Sequence, residues 1–543
     1  MRKRLWYTAP LSLIGVAALA AALAVTASGS TTAKAAGQTL QLAVANSDVD
    51  YSDPALAYGV LSWQIEYETC AKLIDYSDVG GASTELSPDA AAGMPVISAD
   101  GKTYTFTIKP GIKFNDGTTV TAASFKAAMN RDANPSMNSP VNAFMSDVVG
   151  WDNVVNKKAS SISGVVAMGN KLTIHLTEKD GGMLDKLAMP FFCAINPAKT
   201  PVDPNGVNTL PGAGPYYIAS RTVGKQLVLK RNPLYKGNRP HRADTIIITM
   251  NTNAQQTFLQ VSNGTYALDP SGLDNPSAAA QLAQQYGINK SRFFVHPTPE
   301  TDYIALNTTR SAFGSAAVRR AVNYAIDRPA LLRVRGFLGG KRTTEILPQS
   351  LAGGVYNQHL YPIAGANVAK AKSLAGSACG NVNLWYATGP VGTPQAGILK
   401  YNLEQMGCSV TVKPFQGYAI YNAAGVKGAD FDALFAGWYQ DYADGYDFFH
   451  ILLDGRTIHA SSNNDLSYFN NATVNSKIDA ANALTGPARS KAWGQLDIYT
   501  MSHFAPWAPI DNRNQRDYVG PKTGGYLWLP AWGALDLGTL YLK

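Results

Sequence analysis

The sequence lacks the short motifs by which many enzymes are recognised. It contains no G-x-S-x-G nucleophile turn, no Walker-type phosphate loop, no G-x-G-x-x-G and no H-E-x-x-H zinc pair. Its seven histidines are scattered, and His450 and His459 are spaced poorly for a shared metal ion. We therefore expect no enzyme with a local motif, no metal and no other cofactor. A secreted hydrolase whose carboxylates are brought together by folding leaves no such motif and stays open.

Basic clusters and further long apolar runs are also missing. No group of lysines and arginines alternates with aromatic residues, so the chain carries no footprint of nucleic-acid binding. The formal net charge is +8, but four of the positive charges lie within the first 34 residues. Beyond that segment, no apolar run is long enough to cross a membrane. Charged residues make up only 15% of the chain, which can therefore bury large cores in more than one domain.

The first residues have the pattern of a secretory signal. Residues 2–4 are basic, residues 11–27 are uncharged, and residues 33–35 (Ala-Lys-Ala) offer a cleavage site between small side chains. We expect residues 1–36 to be a signal peptide and the protein to be exported, to the cell surface or the periplasm. The alternative is an uncleaved anchor, since the apolar run is near the shortest length that spans a bilayer. No cysteine lies near the cleavage site, so we expect no lipid attachment at a lipobox cysteine.

Cysteine is scarce, and four cysteines in an exported chain indicate two disulfides. Three pairings are possible. Cys379 and Cys408 precede two strand-like segments joined by a helix-like one, and such a unit places its strands side by side. Pairing these two is plausible and leaves Cys70 with Cys193, joining a helix to a strand. Buried free thiols are the alternative, whereas the spacing rules out a CxxC-type metal or redox site.

The stretch 104–131 is the most informative part of the chain. It predicts a half-buried strand with alternating apolar residues, then two turns, then a capped amphipathic helix. The residues that carry this pattern are Tyr104, Phe106 and Ile108 in the strand, Pro110-Gly111 and Asp116-Gly117 in the turns, and Thr121, Phe125, Ala128 and Met129 in the helix.

A second stretch, 315–328, predicts a helix with Val318, Val322 and Ile326 on one face. In its residue identities, 104–131 resembles the signature of the extracytoplasmic solute-binding proteins of the peptide/nickel type, which serve ABC importers. The Val-Arg-x-Ala…Tyr-Ala-Ile-Asp-Arg pattern within 315–328 resembles that family's second hallmark. The turn at 211–217 and the tail also match, so the resemblance covers nearly the whole mature chain.

The resemblance implies an α/β, two-lobed periplasmic-binding-protein fold. Two chain crossings, near Tyr303–Asn307 and near His503–Ile510, would join the lobes, and closure about them would bury a ligand. An extra domain would be inserted in the first lobe. The expected division is 37–75, 175–302 and 506–543 for the discontinuous domain of lobe 1, 76–174 for the inserted domain and 303–505 for lobe 2.

Ligand binding is expected at residues 437–449, where acids and aromatics follow an apolar strand. In peptide-binding members of the family, the pattern Gly-Trp-x-x-Asp-Tyr supplies an aspartate that holds the α-amino group of the peptide. The resemblance gives this role to Asp441, with Trp438 and Tyr439 as walls. Backbone groups beside it would pair with the peptide main chain. The expected ligand contacts are Asp441, Trp438, Tyr439, Gly437, Tyr442 and Tyr58.

Other readings of these residues stay open. Asp441, Asp444 and Asp447 could line a solvated loop or cap helices, although their spacing does not suit a calcium loop. Tyr58 could be a plain core tyrosine. Some peptide-binding relatives carry an arginine where this chain has Phe435, so any role of that arginine with a ligand carboxylate is in doubt here.

The expected function is that of a monomeric substrate-binding component of an ABC importer. It would capture a small solute, a peptide by preference, and deliver it to the membrane permease subunits. An oligosaccharide or a metal chelate is the alternative ligand within the family. A secreted hydrolase or a cell-wall-binding module is the alternative from another class.

Overall fold

The computed structural model describes residues 37–76, 85–273, 275–356, 360–376 and 379–543. The expected signal peptide lies outside the described residues. No described helix combines the length and the apolar character needed to cross a membrane.

Strands and helices alternate along much of the chain, which is typical of an α/β fold. The strands are β1 (Thr39–Ala45), β2 (Ile74–Tyr76), β3 (Leu86–Pro88), β4 (Val96–Ile97), β5 (Thr103–Thr107), β6 (Val165–Met168), β7 (Lys171–His175), β8 (Tyr216–Thr222), β9 (Gln226–Arg231), β10 (Thr245–Thr252), β11 (Phe293–Pro297), β12 (Glu300–Leu306), β13 (Gly340–Arg342), β14 (Asn381–Ala387), β15 (Ser409–Phe415), β16 (Ala433–Tyr439), β17 (Trp507–Tyr518), β18 (Thr523–Gly524), β19 (Trp528–Leu529), β20 (Ala534–Leu535) and β21 (Tyr541–Leu542). The α-helices are α1 (Val60–Thr69), α2 (Ala122–Asp132), α3 (Trp151–Val155), α4 (Met183–Leu187), α5 (Ala254–Asn263), α6 (Ala279–Tyr286), α7 (Ala316–Ala325), α8 (Arg328–Arg333), α9 (Val368–Ala375), α10 (Gly392–Met406), α11 (Ala419–Ala424), α12 (Gly445–Leu453), α13 (Ala472–Asn482) and α14 (Gly486–His503). Short 3-10 helices cover Pro140–Ala143, Pro190–Phe192, Pro276–Ala278, Gln349–Leu351 and Gly455–Thr457.

Two four-stranded sheets form in the first half of the chain. One has the order β1-β10-β9-β8, with β1 parallel to β10 and the other pairs antiparallel. The other, β4-β5-β7-β6, is antiparallel throughout. In the sequence, its strands come after β1 and before β8, β9 and β10 of the first sheet. Alternate side chains of each sheet are buried, as Leu40 and Leu42 are in β1 and Tyr104 and Phe106 are in β5.

The predicted strand–turn–helix unit of 104–131 is confirmed. β5 carries the alternating pattern, and α2 begins after Thr121, whose extended backbone makes it the N-cap. The Ser124 hydroxyl accepts from the Thr121 backbone N–H at 3.2 Å. Phe125 and Met129 of α2 are buried in the same core as β5, so this helix packs on the sheet by its predicted face.

The largest sheet has the order β11-β17-β12-β16-β14-β15, with β13 also paired to β17. Strand β17 is twelve residues long; its first half pairs with β12 and its second half with β11. The expected crossings fall on neighbouring strands, with Tyr303–Asn307 in and just after β12 and His503–Ile510 running into β17. The crossings and the domain ranges stay predictions.

The helix predicted over 315–328 is shorter than expected. Val318 and Val322 are buried as predicted, but α7 ends at Ala325 and Ile326 is extended. Asp327 then caps α8 by accepting from the Ala330 backbone N–H at 3.0 Å, with a proline in the first turn of the new helix. The helix cap at Asp327 therefore ends α7 earlier than the spacing of its apolar residues predicts.

Both expected disulfides are present, Cys70–Cys193 and Cys379–Cys408. Cys379 and Cys408 precede the parallel neighbours β14 and β15, as the strand–helix–strand reasoning predicted. Cys70 caps the end of α1. The expectation of a strand at Cys193 is wrong, because that residue follows the 3-10 turn that Pro190 begins.

Candidate ligand-binding cleft

A cleft lies where the end of β16 meets α1 and the C-terminal segment, and it has two adjoining parts. The first, called here the aromatic compartment, has a volume of about 690 Å³. The second, called the hinge compartment, has a volume of about 550 Å³ and lies beside β17. The two share Val60, Leu61, Gln64, Ser271, Tyr418 and Tyr439 as lining residues, so they form one continuous space.

The aromatic compartment is walled by large side chains from distant parts of the sequence. Trp63 comes from α1, Trp438 and Tyr439 from the end of β16, and Trp532 from the C-terminal segment. The ring centroids of Trp63 and Trp532 lie 6.0 Å apart in an edge-to-face arrangement. The described lining residues of this compartment include no lysine, arginine or histidine. A buried carboxylate here therefore meets no basic side chain in the cavity wall.

That carboxylate belongs to Asp441, which is 6% exposed and lines the aromatic compartment. The Tyr58 hydroxyl donates to Asp441 Oδ2 at 3.0 Å. Burial raises the pKa of Asp441 to about 7, against the opposing effect of hydrogen bonds from Asp447 and Tyr58. The structure thus joins two residues that were singled out separately from the sequence. Tyr58 is a cleft residue here, since it also lines the cavity.

Asp447 lies behind Asp441, in the first turn of α12, and is fully buried. Its Oδ2 accepts from the Trp438 indole N–H and from the Asp441 backbone N–H, both at 3.0 Å. Burial, followed by the neighbouring charge of Asp441, raises the pKa of Asp447 well above its ordinary value. Of the two carboxyl groups, Asp447 therefore holds its proton more tightly, and Asp441 is the one that ionises first.

Asp444 has a structural role. It is the N-cap of α12, accepting from the Tyr446 backbone N–H at 2.8 Å. Its two oxygens also accept from Arg489 Nε and Nη2, both at 2.7 Å. The helix-cap alternative is correct for this acid. Asp441, in contrast, faces the cavity.

The other expected contacts lie beside the cavity rather than in its lining. Tyr442 is buried, and its ring meets the edge of Phe144 at a centroid distance of 6.1 Å. Gly437 lies opposite Asp302 in the sheet, and a Cβ at Gly437 would come within 2.5 Å of Asp302 Oδ1. Glycine at this position thus leaves room for the carboxylates of β12. A ligand contact at Gly437 or Tyr442 stays a prediction.

Sequence reasoning missed several lining residues. Trp63, Trp532 and Tyr418 belong to no motif, and only the tertiary fold brings them to the cleft. Tyr418 is 84% exposed, unusual for a large aromatic side chain, and it lines both compartments. Glu300 and Arg513, which line the hinge compartment, were also missed.

One cluster among the described residues has the composition of a metal site: Glu66 with Cys70 and Cys193. The two cysteines are joined in a disulfide, so they offer no thiolate. This cluster therefore does not fit a metal ion.

Comparison with known proteins places the chain in a family. Residues 85–459 match the model of the bacterial extracellular solute-binding proteins, family 5. The probable D,D-dipeptide-binding periplasmic protein DdpA of Escherichia coli K12 is 25% identical over 493 residues, covering 89% of this chain and 90% of that protein. The glutathione-binding protein GsiB of the same strain is 27% identical over 283 residues, 51% of each chain.

Solved structures show the same fold. The clavulanic acid biosynthesis oligopeptide binding protein 2 superposes with a TM-score of 0.84 at 23% identity, covering 93% of this chain and 96% of that one. The Escherichia coli murein tripeptide binding protein MppA superposes with a TM-score of 0.74 at 22% identity, covering 94% and 99%. The fold is therefore the two-lobed α/β fold of periplasmic binding proteins. The chain belongs to family 5 of the bacterial extracellular solute-binding proteins.

Proposed function

We propose that this protein is the substrate-binding component of an ABC importer and that it captures a short peptide in the cleft. It is exported, acts as a monomer outside the cytoplasm, and delivers the peptide to the permease subunits in the membrane. Membership of family 5 supports the class of function. The names of relatives that bind dipeptides, glutathione and murein tripeptide support the choice of a peptide.

The observation that carries the proposal is the Asp441 carboxylate in the aromatic compartment. A carboxylate in a dry surround binds a cation more strongly than one in water does, because the local dielectric is low. Since no described lining residue of the aromatic compartment is a lysine, arginine or histidine, a cation that pairs with Asp441 there comes from the ligand. The α-ammonium group of a peptide has the right charge, and its three N–H donors suit carboxylate and carbonyl acceptors.

The remaining residues of the site complete this scheme. Trp438 and Tyr439 are walls, and Tyr58 orients the Asp441 carboxylate through its hydroxyl group. Asp447 holds Trp438 and the Asp441 backbone in place, and its raised pKa favours the neutral form, which does not compete for the ammonium. Closure about the strands β12 and β17 then buries the peptide between the lobes, within the domain ranges expected from the sequence.

Calorimetry with alanine peptides tests the proposal. Trialanine should bind the wild-type protein without being hydrolysed, and N-acetyl-trialanine should bind at least 100-fold more weakly. Asp441→Asn keeps the shape of the side chain and removes its charge. We expect it to weaken trialanine binding by about 3 kcal/mol, or about 100-fold, as for other buried charge pairs. The control is Asp430→Asn, whose side chain is 72% exposed.

Four results would contradict the proposal. Equal binding of trialanine and N-acetyl-trialanine would show that the amino group is not recognised. Unchanged affinity in Asp441→Asn would show that the carboxylate is not its partner. Hydrolysis of trialanine by the wild-type protein, lost in Asp441→Asn, would favour the hydrolase reading. Binding of an oligosaccharide instead of any peptide would make the aromatic residues a stacking surface for sugar rings.

A further inference from the structure

The hinge compartment differs in charge from the aromatic compartment beside it. Its lining includes one carboxyl group, Glu300, and two guanidinium groups, Arg513 and Arg516. The described lining of the aromatic compartment holds acids and no basic side chain. One continuous cleft therefore carries a free carboxylate in one part and guanidinium groups in the other.

The guanidinium group of Arg513 is paired with carboxylates along one edge, and N–H groups on its other edge remain available. Its Nε and Nη2 donate to the two oxygens of Asp302 at 2.6 and 2.7 Å, and its Nη1 lies 3.1 Å from Glu300 Oε1. Arg335 also pairs with Asp302 and lies 3.4 Å from Asp511, which fixes the Asp302 carboxylate. A guanidinium has five N–H groups, so these contacts leave two of them available. The Arg513 side chain is 41% exposed and lines the cavity.

Strand β16 supplies no basic side chain to the lining of either compartment. Phe435 occupies the position in β16 where some relatives have an arginine, opposite Ile304, and packs against the apolar core that includes Val382 and Leu384. The basic groups of the hinge compartment come instead from β17, the next strand but one in the sheet. The resemblance to the family gave no role to Arg513 or Arg516.

We propose that Arg513 binds the C-terminal carboxylate of the peptide whose amino group is held at Asp441. This inference rests on the proposed function and narrows the ligand to short peptides with both ends free. The remaining N–H groups of a guanidinium form a fork that matches a carboxylate in two parallel hydrogen bonds. Asp302 keeps that fork in a fixed orientation, so little side-chain entropy is lost on binding.

Glu300 is the group that could oppose a second carboxylate nearby. Burial and the charge of Asp302 raise its pKa to about 7, although Arg513 acts in the opposite direction. Glu300 can therefore take up a proton near neutral pH when the ligand arrives. Arg516, also in the lining, adds positive charge to the same compartment.

The sheet register gives the approximate length of the peptide. Glu300 lies opposite Tyr439 of β16, and its carboxyl group contacts Arg513 of β17 on the other side. Neighbouring strands lie about 4.8 Å apart, so the backbones of Tyr439 and Arg513 are about 10 Å apart. Asp441 lies two residues beyond Tyr439. An extended chain spans about 3.3–3.6 Å per residue, so these two residues bring the separation of Asp441 from Arg513 to about 12 Å, which suits a peptide of three or four residues.

Calorimetry on the full chain tests this with trialanine, trialanine amide and N-acetyl-trialanine. The wild-type protein should bind trialanine about 30-fold more tightly than trialanine amide, because only the acid makes a charge-assisted pair. Arg513→Gln should bind the acid and the amide with equal affinity, because the variant cannot form that charge-assisted pair. The matched control is Arg333→Gln, an exposed arginine of α8 outside the cleft, which should keep the 30-fold preference. Among alanine peptides of two to five residues, affinity should peak at about three or four residues.

Each result either supports or overturns the proposed carboxylate site at Arg513. Equal wild-type affinity for acid and amide overturns the carboxylate site, and so does a preference that survives in Arg513→Gln. The wild-type comparison needs no variant, so misfolding of Arg513→Gln would not hide the answer. If N-acetyl-trialanine binds as well as trialanine, the amino anchor at Asp441 fails, while the amide comparison still reports on Arg513. If none of the three peptides binds, both proposals fall together.

Discussion

At the residue scale, two neighbouring carboxyl groups have different roles in the aromatic compartment. Asp441 faces the cavity, whereas Asp447 accepts from Trp438 and from the Asp441 backbone. The pattern Gly-Trp-x-x-Asp leads to Asp441 from the sequence alone. It says nothing of Asp447, because that role depends on how α12 folds back against the end of β16. A protonated Asp447 can support the loop without repelling its ionised neighbour.

This pair makes peptide binding depend on pH. The pKa of Asp441 is raised to about 7, so below pH 7 the carboxyl group of the free protein is increasingly protonated. A peptide ammonium binds the ionised form, and its affinity should fall by about tenfold for each pH unit below 7. Above pH about 8 the α-amino group of the peptide loses its own charge, and affinity should fall again. Calorimetry with trialanine between pH 5 and pH 9 measures both limbs.

Asp441→Asn is the control for the acid limb. It should bind weakly at every pH and lose the slope below pH 7, while the alkaline limb, which belongs to the peptide, should remain. An acid limb of unchanged steepness in this variant would assign the titration to a group other than Asp441.

The residues that mark the family serve the fold rather than the ligand. Arg131, at the end of the 104–131 stretch, donates to both oxygens of Asp53 at 2.6 Å and so ties α2 to the loop after β1. Arg328, in the second hallmark, is fully buried and donates to the backbone oxygens of Thr343 and Pro509 at 3.0 and 2.8 Å. These two arginines therefore tie distant segments together, and neither lies in the described lining of the cleft.

At the element scale, sequence patterns predict those strands and helices whose formation depends on residues close by in the chain. β5 and α2 follow from the alternation of apolar residues and from the cap at Thr121. α7 is mispredicted at its end because Asp327 begins a new helix, a signal that competes with the apolar period. The strand expected at Cys193 does not form, since Pro190 starts a 3-10 turn there. Where two local signals disagree, the sequence alone does not tell which prevails.

The two disulfides should differ in their contribution to stability. Cys70–Cys193 closes a segment of 123 residues and Cys379–Cys408 one of 29. In the loop-entropy model these lengths correspond to about 5 and about 3.5 kcal/mol. Cys70→Ala/Cys193→Ala should therefore lower the free energy of unfolding in urea by about 1 kcal/mol more than Cys379→Ala/Cys408→Ala does.

Unfolding of the same variants with a reducing agent provides the control for this comparison. The reduced wild-type protein and the two double variants should then differ only by the packing of the alanine side chains. A larger loss from the shorter loop under oxidising conditions would show that local strain or packing, rather than loop length, sets the contribution of each bond.

At the scale of the whole molecule, the fold could be predicted, but the composition of the cleft only in part. Resemblance along most of the chain gives the two-lobed architecture, which the structural likeness confirms. The cleft, however, joins Tyr58 to Asp441, 383 residues apart in sequence. Its walls come from α1, β16, β17 and the C-terminal segment, and of these only the end of β16 carries a recognised pattern. Such an arrangement is specified by tertiary packing, so neither periodicity nor spacing reveals it.

Several contacts hold the two sides of the cleft together in this structure. The Gln440 side-chain amide donates to Ala531 O at 2.7 Å, and the Tyr58 hydroxyl donates to Asp441. The Ala443 backbone N–H donates to the Tyr76 hydroxyl oxygen at 2.9 Å, and that hydroxyl donates to Asp185 Oδ1 at 3.0 Å. Tyr76 is absent from the described cavity lining, so it can stabilise closure without touching the ligand.

Tyr76→Phe should therefore weaken peptide binding without altering the binding site. The ring stays against Trp532, but the half-buried Ala443 N–H loses its acceptor. An unsatisfied buried N–H costs about 1–3 kcal/mol, which lowers the closed population and the affinity for trialanine by about tenfold. Calorimetry measures the affinity, and small-angle X-ray scattering should give the same radius of gyration as wild type at saturating peptide. Tyr401→Phe, at an exposed position of α10, is the control and should change neither quantity. Unchanged affinity in Tyr76→Phe would mean that this hydroxyl contact is not part of the ligand-bound state, because the energy of every contact made only on closure must appear in the binding constant.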